Sequence, residues 1–165
     1  MSIIGIIASE RQANRIRKEI KQDLEIELIN INYRSIENIK NIKFKIIIIQ
    51  DSFEKLKEKQ EYIKQILKSA QYVLVNTDIA INENIFKEIN AKILTYGLKQ
   101  KSTITVSGLE EKQIIISIQR SFKNIKGKMI SEQEIPVYLE KNGTRDLYNS
   151  LIKMSIMNLF STENR

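Results

Sequence analysis

Neither cysteine nor histidine occurs in this 165-residue chain. The first absence excludes a disulfide framework and thiolate metal sites. The second removes the side chain that most often acts as general base or metal ligand, so proton transfer near neutral pH would need retuned carboxylates or lysines. Long apolar runs are missing as well: none approaches the ~18–20 residues of a membrane-spanning helix. The opening MSIIGIIASERQ is apolar for only a few residues, carries no basic leader, and reads as a first strand rather than a signal peptide. These absences lead to the expectation of a cytoplasmic protein with no membrane partner.

Aromatic residues are sparse, at 7% of the chain. The formal charge of +7, from 27 Lys and Arg against 20 Asp and Glu, would in principle suit an anionic partner. The positive residues are mostly lysines spread through isoleucine- and asparagine-rich sequence, however. The aromatics do not alternate with them as a base-stacking surface requires. Nucleic acid is therefore not the expected partner.

What the chain does contain is ordinary globular composition, 42% apolar and 28% charged, at a length that suits one domain with a real core. Its first half alternates strand and helix patterns. Ser2–Ala8 is a short β-branched run, and Ser9 can cap a helix reaching about Gln22 with Ala13, Ile16 and Ile20 on one face. Leu24–Ile31 alternates as a second strand, and Ser35–Ile39 suits one helical turn. Lys45–Gln50, with its consecutive isoleucines, predicts a strand covered on both faces. Asp51 and Ser52 are the expected caps of a long helix to about Ala70, whose outer face KLKEKQEYIKQ reads as solvated. A strand over Gln71–Asn76, a short helix over Asn82–Asn90 and a strand over Lys92–Tyr96 follow. Such alternation implies right-handed crossovers and a parallel sheet.

After Gly97 the pattern changes. Ser102–Val106, Gln113–Gln119 and Ile135–Leu139 read as strands without intervening helices, joined by turns at SGLEEK and NIKGK, so an antiparallel extension is expected. A final helix over Asp146–Phe160 carries Leu147, Leu151 and Met154 on one stripe and Tyr148, Ile152 and Ile156 beside it. That stripe is broad enough for core packing and for a homo-oligomer contact. The expected fold class is thus α/β in one domain: a Rossmann-like, three-layer, mostly parallel sheet over residues 1–98, then a small antiparallel extension and a C-terminal helix over 99–165.

Three stretches resemble the central, ATP-binding domain of Mur ligases, a family that includes peptidoglycan amino-acid ligases and folylpolyglutamate synthase. YVLVNTD at 72–78 is similar to the family's strand ending in asparagine and acidic residues. AKILTYGL at 91–98 is similar to its strand ending in threonine or serine, an aromatic and glycine. EIPVYLEKNGTRDLYNSLIKMSIMNLF at 134–160 resembles the strand, glycine and helix start that close the family domain. There Gly143 and Asn149 match, whereas Arg145 and Asp146 stand in place of the usual histidine and asparagine. The resemblance implies that the glycine after the aromatic ends the parallel sheet, with an antiparallel set and a last helix to follow. It also implies a P-loop after the first strand, where glycines let backbone N–H groups curl around phosphate, a lysine supplies charge and a hydroxyl binds magnesium. Here that place reads GIIASERQANR: only Ala8, Ser9 and Glu10 separate Ile7 from the helix, without glycine or lysine. Glu10 near the helix N-terminus suits the dipole but repels a phosphate.

The leading expectation is a non-catalytic Mur-ligase-like binding or regulatory module with no cofactor. Through the family it would be linked to bacterial cell-wall metabolism, with an unidentified protein or small ligand as partner. The alternative is a nucleotide- or small-ligand-binding enzyme or sensor using a P-loop-free cleft at the carboxyl ends of the strands, where open α/β sheets place their crevices. The residues for such a cleft are Asn76, Asp78, Arg145 and Asn149, the last placed by the resemblance near an adenine. Each also has a local reading: Thr77 or Asp78 as a helix cap, Asn149 as a turn contact, Arg145 and Arg120 as surface residues. Glu132, Glu134 and Glu140 could share a face only if no turn intervenes, and Pro136 makes a continuous strand there doubtful. No catalytic residue and no metal ligand is expected.

Overall fold

The computed structural model describes residues 1–20, 25–139 and 143–162. Its fold class is α/β, with a mostly parallel mixed sheet of eight strands, a two-stranded antiparallel sheet and a C-terminal helix. The strands are β1 (Ser2–Ile7), β2 (Ile26–Asn30), β3 (Ile46–Ile49), β4 (Tyr72–Asn76), β5 (Lys92–Tyr96), β6 (Ile104–Leu109), β7 (Gln113–Ile118), β8 (Phe122–Lys123), β9 (Met129–Ile130) and β10 (Gln133–Tyr138). The α-helices are α1 (Glu10–Ile20), α2 (Ile36–Ile39), α3 (Gln60–Ser69) and α4 (Thr144–Phe160). Gln22 and Leu24, the expected limits of the first helix and second strand, lie outside the described residues. The chain forms two compact units, Met1–Leu94 and Thr95–Arg165, divided inside β5.

In the first unit β4, β3, β1 and β2 lie side by side, all parallel. Ile46, Ile47, Ile48 and Ile49 of β3 are each 0% exposed, which is what a strand sheltered on both faces requires. Ile47 and Ile49 join one apolar cluster with Ile36, Ile63, Ile66 and Leu67, and strand alternation turns Ile46 and Ile48 to the opposite face. The helix α1 buries Ala13, Ile16 and Ile20, as its spacing predicts. Gly5 in β1 sits where two side chains cross the strand: a Cβ there would lie 2.6 Å from Ile31 Cδ1 and 3.1 Å from the Phe44 ring.

Two helices differ from expectation. The run after Asp51 opens as a 3₁₀ segment, Glu54–Lys59, and becomes α-helical only at Gln60. Asp51 and Ser52 do not cap it, because they stay with the strand end: the Asp51 N–H donates to the Ile7 carbonyl and Asp51 Oδ1 accepts the Ser52 N–H at 2.8 Å. The helix expected over Asn82–Asn90 shrinks to a 3₁₀ turn, Glu83–Phe86, capped by Asn82 through its side-chain oxygen and the Asn84 N–H at 3.0 Å. A segment this short forms few bonds for the dihedrals it fixes, so local asparagine bonding decides its shape.

In the second unit the antiparallel part begins one strand later than expected. Tyr96 of β5 pairs in parallel with Ile104 of β6, so 97–103 is a sideways step rather than a hairpin. The Gly97 N–H reaches the Ile104 carbonyl at 3.2 Å, and the Thr95 hydroxyl accepts the Thr103 N–H at 2.9 Å. Then β6, β7 and β10 pair antiparallel, with a bulge between Val106 and Gly108 that keeps the start of SGLEEK inside β6. The NIKGK turn joins β8 to β9, with Gly127 at φ +82°. Asn124 organises it: its Oδ1 accepts the N–H groups of Lys126 and Lys128, and its Nδ2 donates to the Ser161 carbonyl at 2.8 Å. The Ile125 N–H donates to the Leu159 carbonyl at the end of α4. That helix packs along β6 and starts at Thr144 rather than Asp146. Its Leu151, Ile152, Ile156 and Leu159 are fully buried, while Met157 is exposed.

Candidate functional site

An open parallel sheet offers its usual ligand crevice at the carboxyl ends of the strands where the order reverses. In this chain that point lies between β1 and β3, since β2 flanks β1 on one side and β3 on the other. Here the protein's own bonds tie the two strand ends together. The Ile7 carbonyl accepts the N–H of Gln50 at 3.0 Å and of Asp51 at 3.2 Å. At the adjoining start of α1, Ser9 Oγ accepts the Gln12 N–H at 3.3 Å, and the Ser9 N–H and hydroxyl both donate to Gln12 Oε1 at 3.4 and 3.1 Å. This is a reciprocal capping box, Ser-x-x-Gln, so Ser9 caps the helix as its sequence position predicts. Two N–H groups that a P-loop would turn toward phosphate face the chain itself, and Glu10 places a carboxylate in the same turn.

The residues singled out from the sequence fall in different places. Asn76 ends β4 and is 2% exposed; its Nδ2 donates to Gln50 Oε1 at 3.3 Å and its Oδ1 accepts the Asp78 N–H at 2.9 Å. It holds the ends of β3 and β4 together and closes the turn that carries the half-buried Asp78. The helical turn that follows is capped by Asn82, not by Thr77 or Asp78. Asn76 and Asp78 belong to the first unit, Arg145 and Asn149 to the second. Asn149 is half-buried in the second turn of α4; Arg145 is in its first turn, with its side chain outside the described residues. Arg120 is spent on structure, donating to the Lys101 carbonyl at 2.9 Å. Glu134 is exposed on β10 with Glu132 just before it, and Glu140 lies outside the described residues. Among the described residues no group of three acidic side chains is placed to hold a metal ion.

The concavity at the carboxyl side of the first unit lies elsewhere, between the segment 52–64 after β3 and the segment 80–85 after β4. It encloses about 330 Å³. Phe53, Ile81 and Ile85 supply apolar wall, and Glu54, Lys57, Gln60, Lys64, Asn82 and Asn84 supply polar groups. Phe53 and Ile81 are only half-buried: each packs against the core cluster containing Leu56 and Ile85 while still lining the cleft. A larger hollow of about 570 Å³ runs along α1 beside Glu10, Arg11, Asn14, Arg15 and Lys18. All of its lining comes from one helix, so it is a surface groove, and the two-walled cleft is the better binding geometry.

A second polar cluster in the first unit surrounds Lys59, which forms an ion pair with Glu37 and lies over the rings of Tyr33 and Tyr62, 4.9 and 5.6 Å from their centres. The hydrogen bond from Lys59, then its charge, lowers the Glu37 carboxyl below its ordinary pKa. The bond to Glu37 raises the Lys59 ammonium against the opposing effect of desolvation. Both groups stay charged near neutrality, which suits a brace between α2 and the 3₁₀ segment better than proton transfer.

The cleft was hidden in the sequence because Lys57, Gln60 and Lys64 have the spacing of an ordinary solvated helix face. The available signal was the pair of apolar residues, Phe53 and Ile81, set just beyond two strand ends. No protein-family model and no curated protein sequence matches this chain.

Proposed function

We propose that the chain is a Mur-ligase-like domain without the phosphate machinery, acting as a binding or regulatory module rather than as an ATP-dependent ligase. The observation that carries this reading is the Ser9–Gln12 capping box at the start of α1, which engages two amides of the turn where a P-loop would hold phosphate. Phosphoryl transfer depends on positioning and charge stabilisation, and this turn supplies neither. The resemblance to the family is supported by the antiparallel strands that follow β6 and by the closing helix α4, although the parallel pairing runs one strand past Gly97. A role in the bacterial cytoplasm, connected with cell-wall metabolism, follows from that resemblance.

Calorimetric titration with ATP and ADP, with and without magnesium, tests the proposal. The expected result is no saturable heat. Saturable Mg-ATP binding that weakens when Ser9, Glu10 or Gln12 is replaced would overturn it. The two-walled cleft favours a second reading, a small-ligand sensor with no P-loop.

A further inference from the structure

We infer that the cleft between 52–64 and 80–85 binds a small organic carboxylate, with its apolar body on Phe53 and Ile81 and its carboxylate toward Lys57 and Lys64. This inference rests on the cleft alone and stands or falls separately from the Mur-ligase reading.

Three observations support it. First, the cavity has two walls, and its apolar lining is fixed from behind: Leu56 and Ile85, 4% and 7% exposed, anchor the segments that carry Phe53 and Ile81. Half-buried apolar surface inside a cleft gains free energy when a ligand body covers it. Second, the lining carries two ammonium groups and further side-chain donors. Lys57 and Lys64 lie seven residues apart with Gln60 between them, so all three fall along one side of the segment. Asn82 spends its Oδ1 on the Asn84 N–H, which leaves its amide nitrogen to donate. Third, the cationic groups are lightly engaged. The half-buried Lys64 meets the exposed Glu61 at 3.6 Å, and Lys57 forms no ion pair among the described residues. An incoming carboxylate therefore displaces little.

The same lining selects against other classes. A cationic ligand would meet two ammonium groups against one carboxylate, Glu54, among the lining residues. A bare phosphate would leave Phe53 and Ile81 uncovered and gain nothing from them. The volume of about 330 Å³ lies at the small end of ligand pockets, of roughly 300–1,000 Å³, which sets the scale of the molecule.

The test is a titration of the full ¹⁵N-labelled chain followed by amide chemical shifts, with phenylacetate, phenethylamine and inorganic phosphate as separate probes. Phenylacetate is expected to give saturable shifts in the millimolar range, concentrated in 52–64 and 80–85. The other two probes are expected to give none there. The double variant Lys57→Gln, Lys64→Gln should raise the phenylacetate Kd about tenfold or more, which corresponds to about 1.4 kcal/mol. Phe53→Leu, which keeps an apolar side chain, should weaken binding less than Phe53→Ser. The inference is overturned by an absence of saturable shifts in these segments, by an equal response to phenethylamine, by a response to phosphate alone, or by an unchanged Kd in the double glutamine variant.

Discussion

Gly5→Ala probes the packing on which the first unit depends. The new methyl would sit 2.6 Å from Ile31 Cδ1 and 3.1 and 3.2 Å from two carbons of the Phe44 ring, against the roughly 3.5–4.0 Å of comfortable carbon contact. Ile31 and Phe44 are 1% and 2% exposed, so neither can swing out into water. Overpacking of this kind costs about 1–3 kcal/mol, and the reduced freedom of the unfolded chain returns about 0.4–1 kcal/mol. The difference runs from about 0 to about 2.6 kcal/mol, and the 2.6 Å contact places the expected net loss at about 1–2 kcal/mol. For a chain of this length that lowers Tm by about 2–8 °C, and urea unfolding should show a lower midpoint with an unchanged slope. Ile31→Val deletes the Cδ1 in the closest contact and alone costs about 0.5–1.5 kcal/mol. With both changes the methyl gains room, so the double variant should lose less than the sum of the singles by about 0.5 kcal/mol or more. A neutral Gly5→Ala, or strict additivity with Ile31→Val, would refute the reasoning.

Asn76→Ala should destabilise the fold by about 1–3 kcal/mol, read from denaturant midpoints, because it strips partners from buried polar groups at the ends of β3 and β4. Asn124→Ala should speed amide exchange at Lys126 and Lys128, whose N–H groups it holds, more than exchange in β6 or β7. The Glu37–Lys59 pair sets a pH window. Because the Glu37 pKa is lowered in the fold, its contribution is complete above the ordinary value of 4.5 and is lost as pH falls through the lower folded value. Because the Lys59 pKa is raised, its contribution is complete below 10.5 and is lost as pH rises through the higher folded value. The Tm difference between the native chain and Glu37→Gln should therefore be flat between those limits and close at acid pH; a gap that persists in acid would remove the pair as its cause.

Much of the fold was legible because burial leaves a periodic trace. Four isoleucines in a row at 46–49 can be satisfied only by a strand with both faces sheltered, and β3 is that strand. The same holds for Ala13, Ile16 and Ile20 on α1 and, on α4, for Leu151, Ile152 and Ile156, whereas Leu147, Tyr148 and Met154 of the expected stripe are half-buried. Boundaries set by hydrogen bonds were less legible. Asp51 and Ser52 are good caps by residue type, yet the bond from the Asp51 N–H to Ile7 keeps them with the sheet and leaves a 3₁₀ segment behind. The parallel pairing of Tyr96 with Ile104 was unreadable because parallel neighbours are ordinarily joined by a crossover of a dozen or more residues, far longer than the step between these two strands.

The site divides along the same line, and its two halves show why. What a turn lacks can be read directly: no glycine and no lysine follow β1, and the capping box found there needs only Ser9 and Gln12, three residues apart. What a side chain faces cannot be read that way. Asn76 at a strand end is equally suited to meeting a ligand or tying two strands, and the choice falls to the strand tie because Gln50 ends the neighbouring strand. Lys57, Gln60 and Lys64 pose the converse problem. Their spacing is that of any solvated helical face, and only the opposite wall at 80–85, brought in by the β4 crossover, turns that face into the side of a cleft. The inferred cleft thus depends on the segment 52–64 after β3 and the segment 80–85 after β4 taken together. Substitutions at Phe53 and Ile81 should then be coupled in ligand binding while each stays nearly silent at the Ser9–Gln12 turn.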